Sequence, residues 1–475
     1  MAKLKVIIVG GGLAGACMGN GLVNKGNDLF NVTVFERDAE SSNRDGYQIR
    51  LGAHALVGFR ACLTGKQYKE LLLCFGRSGG VVSSAPAIYT TDMELLLDLS
   101  KFPAYQKSAP IGRARLREFL QAPLREKSIM RYGKKFVRFE VIDADGTPGQ
   151  STIRAHFEDG SSEDCDILLS AEGSGSRVNK QLGCNNIIED DSLGAGGLLG
   201  KCHLPWSVLR TLPRPLIEKG TIVTTTASTR LFAAAYLPDS LAPSQKASVP
   251  GDLSGLKKPS NYDEEQASLM FGFSWMEGPS SIEAAQLPDR KAFMREKLAE
   301  TRCHPDFFKL IDALDPDAIQ SVPWRYAKNI PVDWRRKVLL SKSNLDRSIA
   351  HPRVWLIGDA IHPMLPSRGM GANQALHDTA DALSPLLELA KQKNLTGLLS
   401  DDDVRVQLDV YERAMIPRAF TWVKRSSAQV LPNVDSFKGK AVIAGLRLVL
   451  IIVGGLMNVM RFFGWKPKDD APELP

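Results

Sequence analysis

The residues with the clearest chemical potential lie in the C-terminal third of the chain, at positions 354–378. Four apolar residues end at Gly358 and Asp359, and a loop containing Gly369 and Gly371 then leads into an amphipathic helix. A buried strand with a carboxylate at its tip, followed by a helix that opens on glycine, suits a polyol phosphate, because helix N-terminal amides attract anions. The pattern predicts a binding site for a phosphate-bearing ligand.

A second glycine-containing unit opens the chain. Residues 4–36 are predicted to form a strand, a turn with Gly10, Gly12 and Gly15, a helix, and a second strand that ends at Glu36. Glycines at this spacing permit the tight turn and the close approach of a pyrophosphate, and an acid about 20 residues on can bind a ribose hydroxyl. A lone GxGxxG would be a weak signal. In this strand-helix-strand context the spacing favours dinucleotide binding over an incidental glycine-rich turn.

The chain resembles the flavin-dependent monooxygenases of the para-hydroxybenzoate hydroxylase family in these two units and in two motifs that lie between them. Residues 113–116 (RARL) match the family's Arg-x-x-Leu helix, residues 166–178 (DILLSAEGSGSRV) its "DG" motif, and Gly358-Asp359 its "GD" motif. The resemblance covers about residues 4–390. The chain departs from it at Glu172, which replaces the DG aspartate and is one methylene longer.

The resemblance implies an enzyme that binds FAD and uses NAD(P)H and O2 to hydroxylate or epoxidise an apolar aromatic or polycyclic small molecule, in keeping with secondary metabolism. It implies that Asp359 binds the ribityl or pyrophosphate portion of FAD, and that Arg113 contacts the pyrophosphate. It also implies a contact of Arg44 with pyrophosphate or NAD(P)H. Arg50, predicted as the catalytic residue, would face the flavin or substrate, with a solvated strand arginine as the alternative. The predicted cofactor-binding residues are Gly10, Gly12, Gly15, Glu36, Arg37, Arg44, Arg113, Asp359, Gly369, Gly371, Ala372 and Asn373.

Two other functions remain open for a chain of this kind. A flavin halogenase shares the fold, but its WxWxIP motif is missing, and the nearest string is SVPW at residues 321–324. A reductase of isoprenoid chains, or a protein that only retains FAD, would have the same binding motifs without oxygenase activity.

Three further residues have ordinary structural interpretations beside functional ones. His362 is predicted to be a hydrogen-bonding loop residue rather than a base, because oxygen transfer itself needs no histidine. His54 is predicted to cap a helix. Lys201 is predicted to be an exposed strand lysine, with the orientation of a phenolate or acidic substrate as its alternative role.

The order of predicted elements indicates an α/β fold with a discontinuous, Rossmann-type FAD-binding domain resembling that of glutathione reductase. Alternating strands and helices assign residues 1–75, 105–190 and 335–395 to this domain. β-branched and aromatic runs at 221–238 and 268–275 predict an inserted β-sheet substrate domain, formed by residues 76–104 and 191–334. Residues 239–264 are polar with Pro and Gly and predict a surface loop. Residues 396–475 form the predicted C-terminal helical region.

Composition agrees with a globular enzyme and disfavours several partners. The chain has 475 residues, of which 44% are hydrophobic and 24% charged, and a formal net charge of +7. It contains no block of lysine and arginine that would follow a nucleic-acid backbone. Its seven cysteines are scattered without a CxxC pair, so the sequence predicts neither a zinc site nor a disulfide framework, and favours a reducing, intracellular, cytoplasmic location.

The C-terminal segment 441–465 is strongly apolar. Its uninterrupted apolar run covers only residues 448–457, which is shorter than the roughly 20 residues that span a bilayer. The sequence therefore favours a terminal helix packed on the enzyme body, because Gly454 and Gly455 permit close helix contact. The alternative is a helix that lies on a membrane surface, with its basic residues at the lipid headgroups.

Overall fold

The computed structural model describes residues 2–26, 28–42, 48–75, 85–99, 108–143, 149–189, 196–226, 228–236, 267–321, 324–341, 346–427, 433 and 436–464. Arg44 and the predicted loop 239–264 lie outside these residues, so their predicted roles stay predictions.

The strands within the described residues are β1 (Leu4–Val9), β2 (Phe30–Phe35), β3 (Gln48–Leu51), β4 (Ala87–Tyr89), β5 (Leu95–Asp98), β6 (Ala109–Gly112), β7 (Met130–Arg131), β8 (Phe136–Asp143), β9 (Ser151–Phe157), β10 (Ser162–Cys165), β11 (Ile167–Ser170), β12 (Ile187–Glu189), β13 (Gly196–Leu204), β14 (Thr221–Thr225), β15 (Thr229–Tyr236), β16 (Ala267–Trp275), β17 (Gln320–Ser321), β18 (Arg325–Ala327) and β19 (Val354–Leu356). The helices are α1 (Leu13–Lys25), α2 (Ala53–Cys62), α3 (Gly65–Leu72), α4 (Arg113–Glu126), α5 (Arg177–Gln181), α6 (Trp206–Leu209), α7 (Arg214–Lys219), α8 (Ser281–Ala285), α9 (Arg290–Glu300), α10 (Pro305–Asp312), α11 (Trp334–Ser341), α12 (Gly371–Thr396), α13 (Asp401–Ser427) and α14 (Phe437–Phe462).

A five-stranded parallel sheet forms the first layer, in the order β19-β11-β1-β2-β7. Its central strands β1 and β11 are almost continuously apolar and buried, as expected for parallel strands that are covered on both faces. Helix α12 packs against α1, α2 and α13 in the same hydrophobic core. This arrangement confirms the predicted α/β fold with a Rossmann-type sheet.

A seven-stranded sheet forms the second layer, in the order β17-β13-β16-β15-β14-β4-β5. It contains the strands predicted from the β-branched runs at 221–238 and 268–275. Alternate residues of β13, β15 and β16 form a second hydrophobic core with α8, α9 and α10. On the opposite face, Leu199, Phe232 and Met270 are only half-buried.

Helix α13 fixes the end of β19, the strand that leads to the GD motif. The Tyr411 ring stacks on Trp355 with the ring centroids 5.5 Å apart, and the Tyr411 hydroxyl donates to the Leu356 carbonyl at 2.8 Å. Both side chains are fully buried. The position of Gly358 and Asp359 is therefore set by packing between the sheet and the C-terminal helices.

The C-terminal helix contradicts the favoured prediction of a packed terminal helix. Helix α14 is continuous over residues 437–462, and only 11% of its most apolar 18-residue window is buried. By length and composition, Phe437–Met460 is long and apolar enough to cross a membrane. The packed-helix prediction was wrong because α14 contacts the protein body along only one narrow side. The burial of a helix depends on the surface it packs against, which its own sequence does not specify.

Candidate functional site

The three glycines after β1 have different structural roles. Gly10 has a φ of +103°, and a Cβ added there would lie 2.3 Å from the Ala171 carbonyl oxygen. A Cβ on Gly15 would lie 1.9 Å from the Gly10 oxygen, whereas a Cβ on Gly12 would meet no protein atom within 4 Å. Gly10 and Gly15 are therefore required by the protein's own packing. Gly12 borders open space at the N-terminus of α1, where a pyrophosphate would fit.

Glu36 follows β2 and faces the same turn. One carboxylate oxygen accepts a hydrogen bond from the Gly11 amide at 2.8 Å, and the other accepts from the Asp38 amide at 3.0 Å. These two backbone donors hold the carboxylate at the rim of the cavity beside Gly12. This is the position that the fingerprint predicts for an acid that binds ribose hydroxyls.

The cavity at this turn is strongly cationic. Its charged lining comprises the cations Arg37, Arg113, Arg117, Lys134, Lys135 and Arg177 and the acids Glu36, Asp38 and Glu172. Arg37 is largely exposed and lies 3.8 Å from Asp38. Arg113 opens helix α4, as the Arg-x-x-Leu match predicts. The surplus of positive charge at a helix N-terminus fits the pyrophosphate of a dinucleotide.

Glu172, the residue that departs from the family pattern, points into the protein. One of its carboxylate oxygens accepts from the hydroxyls of Ser170 and Ser176, at 3.0 and 2.8 Å, and from the Val178 amide at 3.1 Å. The carboxylate thereby satisfies donors at the start of α5, where an acid is also favoured by the helix dipole. The extra methylene of glutamate is used to reach this helix end.

Asp359 lies in a short 3-10 turn between β19 and α12 and is half-buried. Burial raises the pKa of its carboxyl, although the neighbouring His362 and Arg113 side chains oppose this effect. A Cβ on Gly371 would lie 3.8 Å from an Asp359 carboxylate oxygen, so the carboxylate adjoins the first residue of α12. Arg113 and Asp359, which are 246 residues apart, thus lie within electrostatic reach of each other.

The loop before α12 leaves the first amides of this helix without a side-chain cap. Gly369 has a φ of +62°, a left-handed conformation that glycine adopts without strain. Met370 is the N-cap residue and makes no side-chain capping bond, so the first amides, at Gly371, Ala372 and Asn373, keep the anion-binding character of an uncapped helix end. We expect this helix end to stabilise negative charge on a bound flavin.

Asn373 differs from the other predicted cofactor residues, because its side chain serves the protein. The buried amide oxygen accepts from the Gly52 amide at 2.8 Å, and the amide nitrogen donates to the carbonyls of Arg50 and Gly369 at 2.9 and 3.0 Å. It connects β3, the start of α2 and the loop before α12. Any contact of Asn373 with a flavin would therefore involve its backbone.

A network of buried charged side chains holds the turn at Gly358 and Asp359 in position. The Asp378 carboxylate accepts from the Gly358 amide at 2.7 Å, lies 2.6 Å from His362 Nε2, and pairs with Arg418 at 2.7 Å. Burial disfavours the ionised carboxylate, but His362 and Arg418 outweigh burial and hold the pKa of Asp378 below its usual range. Arg418 also pairs with Asp381 and donates to Gln374.

This network confirms the structural interpretation of His362 and corrects that of His54. His362 is fully buried and forms the predicted hydrogen bond. His54 does not cap α2, whose N-cap residue is Gly52; instead its Nδ1 lies 2.9 Å from Nδ1 of His377. Sequence reasoning missed Asp378 and Arg418. For Asp378, the one signal available in the sequence was the position of a carboxylate on the buried face of the predicted helix.

The half-buried face of the seven-stranded sheet is turned toward β3. The buried Gln48 side chain donates to the Ser268 hydroxyl at 2.7 Å, which links β3 to β16. Arg50 lies on the same side of β3 as Gln48, is half-buried, and donates to the Ser108 hydroxyl at 3.1 Å. Lys201 on β13 is half-buried opposite Met270.

Comparison with known proteins also indicates an FAD-binding site. Residues 321–407 match the "FAD binding domain" family model. The dual O-methyltransferase/FAD-dependent monooxygenase elcB of Phaeosphaeria nodorum is 24% identical over 465 residues, which cover 89% of this chain and 45% of elcB. The chain spans about half the length of the first curated relatives that it matches.

Solved structures share the fold. A putative FAD-containing monooxygenase from Photorhabdus luminescens superposes with a TM-score of 0.65 at 21% identity, covering 90% of this chain and 98% of that protein. Klebsiella pneumoniae HpxO, in complex with FAD and uric acid, superposes with a TM-score of 0.59 at 19% identity, covering 89% and 87%. The chain therefore has the fold of these FAD-containing proteins, and its residues 321–407 match an FAD-binding domain.

Proposed function

We propose that this protein is an FAD-dependent monooxygenase that uses NAD(P)H and O2 to hydroxylate or epoxidise an apolar aromatic or polycyclic small molecule. The observation that carries the proposal is the convergence of three distant segments on one cavity, namely the glycine turn at Gly12, the acid Glu36 and the helix start at Arg113. The GD turn lies close enough to this cavity for Arg113 to act electrostatically on Asp359.

Each of these segments would hold a different part of the cofactor. Glu36 accepts hydrogen bonds from ribose hydroxyls, Arg113 donates to the pyrophosphate, and Asp359 accepts from the ribityl or pyrophosphate portion. When bound and reduced by NAD(P)H, the flavin supplies the electrons that activate O2 for transfer of one oxygen atom. The amides at the start of α12 stabilise negative charge at the flavin end of the site.

The face of the seven-stranded sheet opposite β3 supports an apolar substrate. Leu199, Phe232 and Met270 lie on this face and are only half-buried, so they are available to line a pocket. Residues of this type exclude water from the reacting atoms and orient a flat hydrophobic molecule. Arg50, on the adjoining strand, is the residue that we propose to face flavin or substrate. We also propose the domain division given above, with 76–104 and 191–334 as the substrate domain.

The cofactor assignment is tested by paired substitutions. Asp359→Ala removes a hydrogen-bond acceptor and Arg113→Ala a charge-assisted donor, so each should weaken FAD binding by about 2–3 kcal/mol, or roughly 30- to 150-fold. Flavin dissociation constants are measured by fluorescence titration. Arg138→Ala and Asp333→Ala remove exposed charges outside the cavity and serve as controls. Dissociation constants within about threefold of wild type for both site variants would remove the basis of the assignment.

The activity is tested by NAD(P)H oxidation with phenols, quinones, indoles and prenylated polycycles. A monooxygenase consumes NAD(P)H in an O2-dependent reaction and yields a product whose mass is raised by one oxygen. Reduction of the substrate without gain of oxygen would instead identify a reductase, and halide incorporation a halogenase.

We further propose that the C-terminal apolar segment contacts a membrane. The support is the exposure of α14, of whose most apolar window only 11% is buried. Salt-resistant sedimentation of the full-length protein with membranes is the expected result. Recovery of all the protein in the soluble fraction would contradict this part of the proposal.

A further inference from the structure

Helix α14 exposes an unusually continuous apolar surface. Its large apolar side chains are between 38 and 88% exposed, at Phe437, Val442, Leu446, Leu448, Val449, Ile451, Ile452, Leu456, Val459, Met460 and Phe462. Isolated exposed apolar residues are normal on a protein surface, but a contiguous patch of this kind marks an interaction site. Something in addition to the described protein body must cover it.

The opposite side of α14 is attached to the body. Ile443, Leu450 and Met457 follow one another at intervals of seven residues, so they lie on one side of the helix. Ile443 and Met457 are buried, and Ile443 and Leu450 form a cluster with Ile88 of β4 and Leu97 of β5.

Arg447 reinforces this attachment between the apolar contacts. Its guanidinium donates to the backbone carbonyls of Leu95, at 2.7 Å, and Leu96. These carbonyls belong to β5, the strand at one end of the seven-stranded sheet as described. The sheet edge and the helix are therefore joined by polar as well as apolar contacts.

The charges of α14 indicate what covers its exposed side. The helix contains no Asp or Glu, and it has Lys438 and Lys440 near one end and Arg461 near the other. An apolar helix with only basic charges fits the interface of an anionic phospholipid bilayer, where Lys and Arg side chains are attracted to the headgroups. A second copy of this chain would bring the same positive charges together.

The attachment to β5 decides between a helix that lies in the membrane plane and one that spans the bilayer. A spanning helix would either lose the contacts of Ile443, Arg447 and Leu450 or draw β5 into the hydrocarbon. β5 ends at Asp98, which pairs with Lys219 at 2.8 Å, and ionised groups are costly in hydrocarbon. The geometry favours the in-plane arrangement.

We propose that α14 is an in-plane anchor that lies in the headgroup region of an anionic bilayer and holds the β4-β5 edge of the seven-stranded sheet at the membrane surface. Because this sheet walls the substrate space, the arrangement brings that space close to a reservoir of lipid-dissolved apolar molecules. The role in substrate supply rests on the proposed oxygenase function; the membrane contact does not depend on that activity.

The first test measures binding of the full-length protein to vesicles of phosphatidylcholine with 30% phosphatidylserine. Replacement of the outward residues Leu448, Ile452 and Val459 by Ser should reduce the partition coefficient by roughly thirtyfold or more, because it removes apolar area that would enter the lipid. The control triple variant Ile282→Ser, Leu395→Ser, Val406→Ser removes exposed apolar residues elsewhere. It should bind like the wild type.

The second test separates the in-plane helix from a spanning one. Ala441, Leu448 and Val459 lie on the outward side, and Ala441 and Val459 are about 27 Å apart along the axis. Each is replaced singly by Cys, labelled with an environment-sensitive fluorophore, and quenched by lipids with nitroxides at known depths. The described native cysteines are buried, except Cys184, which is half-buried, so unsubstituted protein gives the labelling background.

Similar shallow depths for all three labels would support the proposal. A deep label at Leu448 between two shallow ones would identify a spanning helix and overturn it. Absence of vesicle binding, or concentration-dependent dimerisation that α14 variants abolish, would also overturn it. Vesicle binding is measured without substrate or NAD(P)H, so a failure of the proposed oxygenase activity would be seen separately and would leave this result standing.

Discussion

At the scale of single residues, the glycine motif combines two physical requirements that sequence spacing alone does not separate. Gly10 and Gly15 have no room for a Cβ because backbone atoms lie within 2.3 Å of where it would stand. Gly12 has room within the protein, and the space it leaves open is the space a pyrophosphate would occupy. Substitutions at the two kinds of position should therefore fail in different ways.

Gly15→Ala should destabilise the protein by about 3 kcal/mol, because the new methyl overlaps the Gly10 carbonyl and the turn must shift. Gly12→Ala should leave the free energy of unfolding of the apoprotein within about 0.5 kcal/mol of wild type and weaken FAD binding more than about tenfold. Denaturant unfolding and FAD titration measure the two effects. Gly65→Ala, at an open position on α3, is the control. Equal FAD affinity of Gly12→Ala and wild type would refute the assigned role.

At the scale of elements, side chains that never face the cavity determine how its walls meet. Asn373 joins β3, the start of α2 and the loop before α12, and Arg418 of α13 joins three polar side chains of α12. Asn373 joins elements that are far apart in the chain, and Arg418 joins two consecutive helices. Their loss should therefore affect flavin binding through position rather than through direct contact.

Asn373→Ala should cost about 2–3 kcal/mol of stability, because it leaves the Gly52 amide and two carbonyls without this partner. Asn373→Asp keeps the acceptor for the Gly52 amide and loses both donated bonds. The melting temperature and the FAD affinity, measured by thermal unfolding and FAD titration, should both decrease from wild type to Asn373→Asp to Asn373→Ala. An Asn373→Ala variant with the same melting temperature as the wild type would show that these hydrogen bonds do not contribute to stability.

Arg418→Met should destabilise the protein by about 3–5 kcal/mol, because Asp378 and Asp381 would remain buried without their cation. FAD affinity should fall as well, since Asp378 holds the Gly358 amide and His362. Arg405→Met on the same helix removes an exposed pair with Asp402 and should cost less than about 1 kcal/mol. A similar effect of the two substitutions on unfolding by denaturant would contradict the predicted role of the network.

At the scale of the whole molecule, burial of histidines between layers links stability to pH. Burial, helped by Arg418 and His54, lowers the pKa of His377 to about 4, and burial likewise lowers the pKa of His351 to about 4. An unfolded histidine titrates near 6.5, so between about pH 6.5 and pH 4 the unfolded chain binds more protons than the native protein. Each histidine therefore lowers stability as the pH falls through this window.

His377→Gln should reduce this loss of stability on acidification, because glutamine cannot bind the proton. After allowance for solvent screening, we expect wild type to lose about 2 kcal/mol more than the variant between pH 7 and pH 4.5. Urea unfolding at the two pH values measures the difference. His156→Gln, on β9, is the control. Parallel pH profiles for wild type and His377→Gln would show that His377 is not responsible.

The sequence by itself determined the α/β fold and the cofactor class. Those conclusions depend on local patterns, since a buried strand, a glycine turn and a helix start are encoded within about 30 consecutive residues. The same locality explains why Gly10, Gly12, Gly15, Glu36 and Asp359 were found as candidates without any structure. Spacing within a segment fixes backbone geometry there, and that geometry is what an anion recognises.

The tertiary structure decided everything that depends on which distant surfaces meet. It turned Glu172 inward to the start of α5, bound the Asn373 side chain to β3, and placed Arg418 under the GD turn. It also left α14 exposed, although its glycines and short apolar run had favoured a packed helix. Burial and charge pairing are properties of pairs of elements, so no pattern within one segment can specify them.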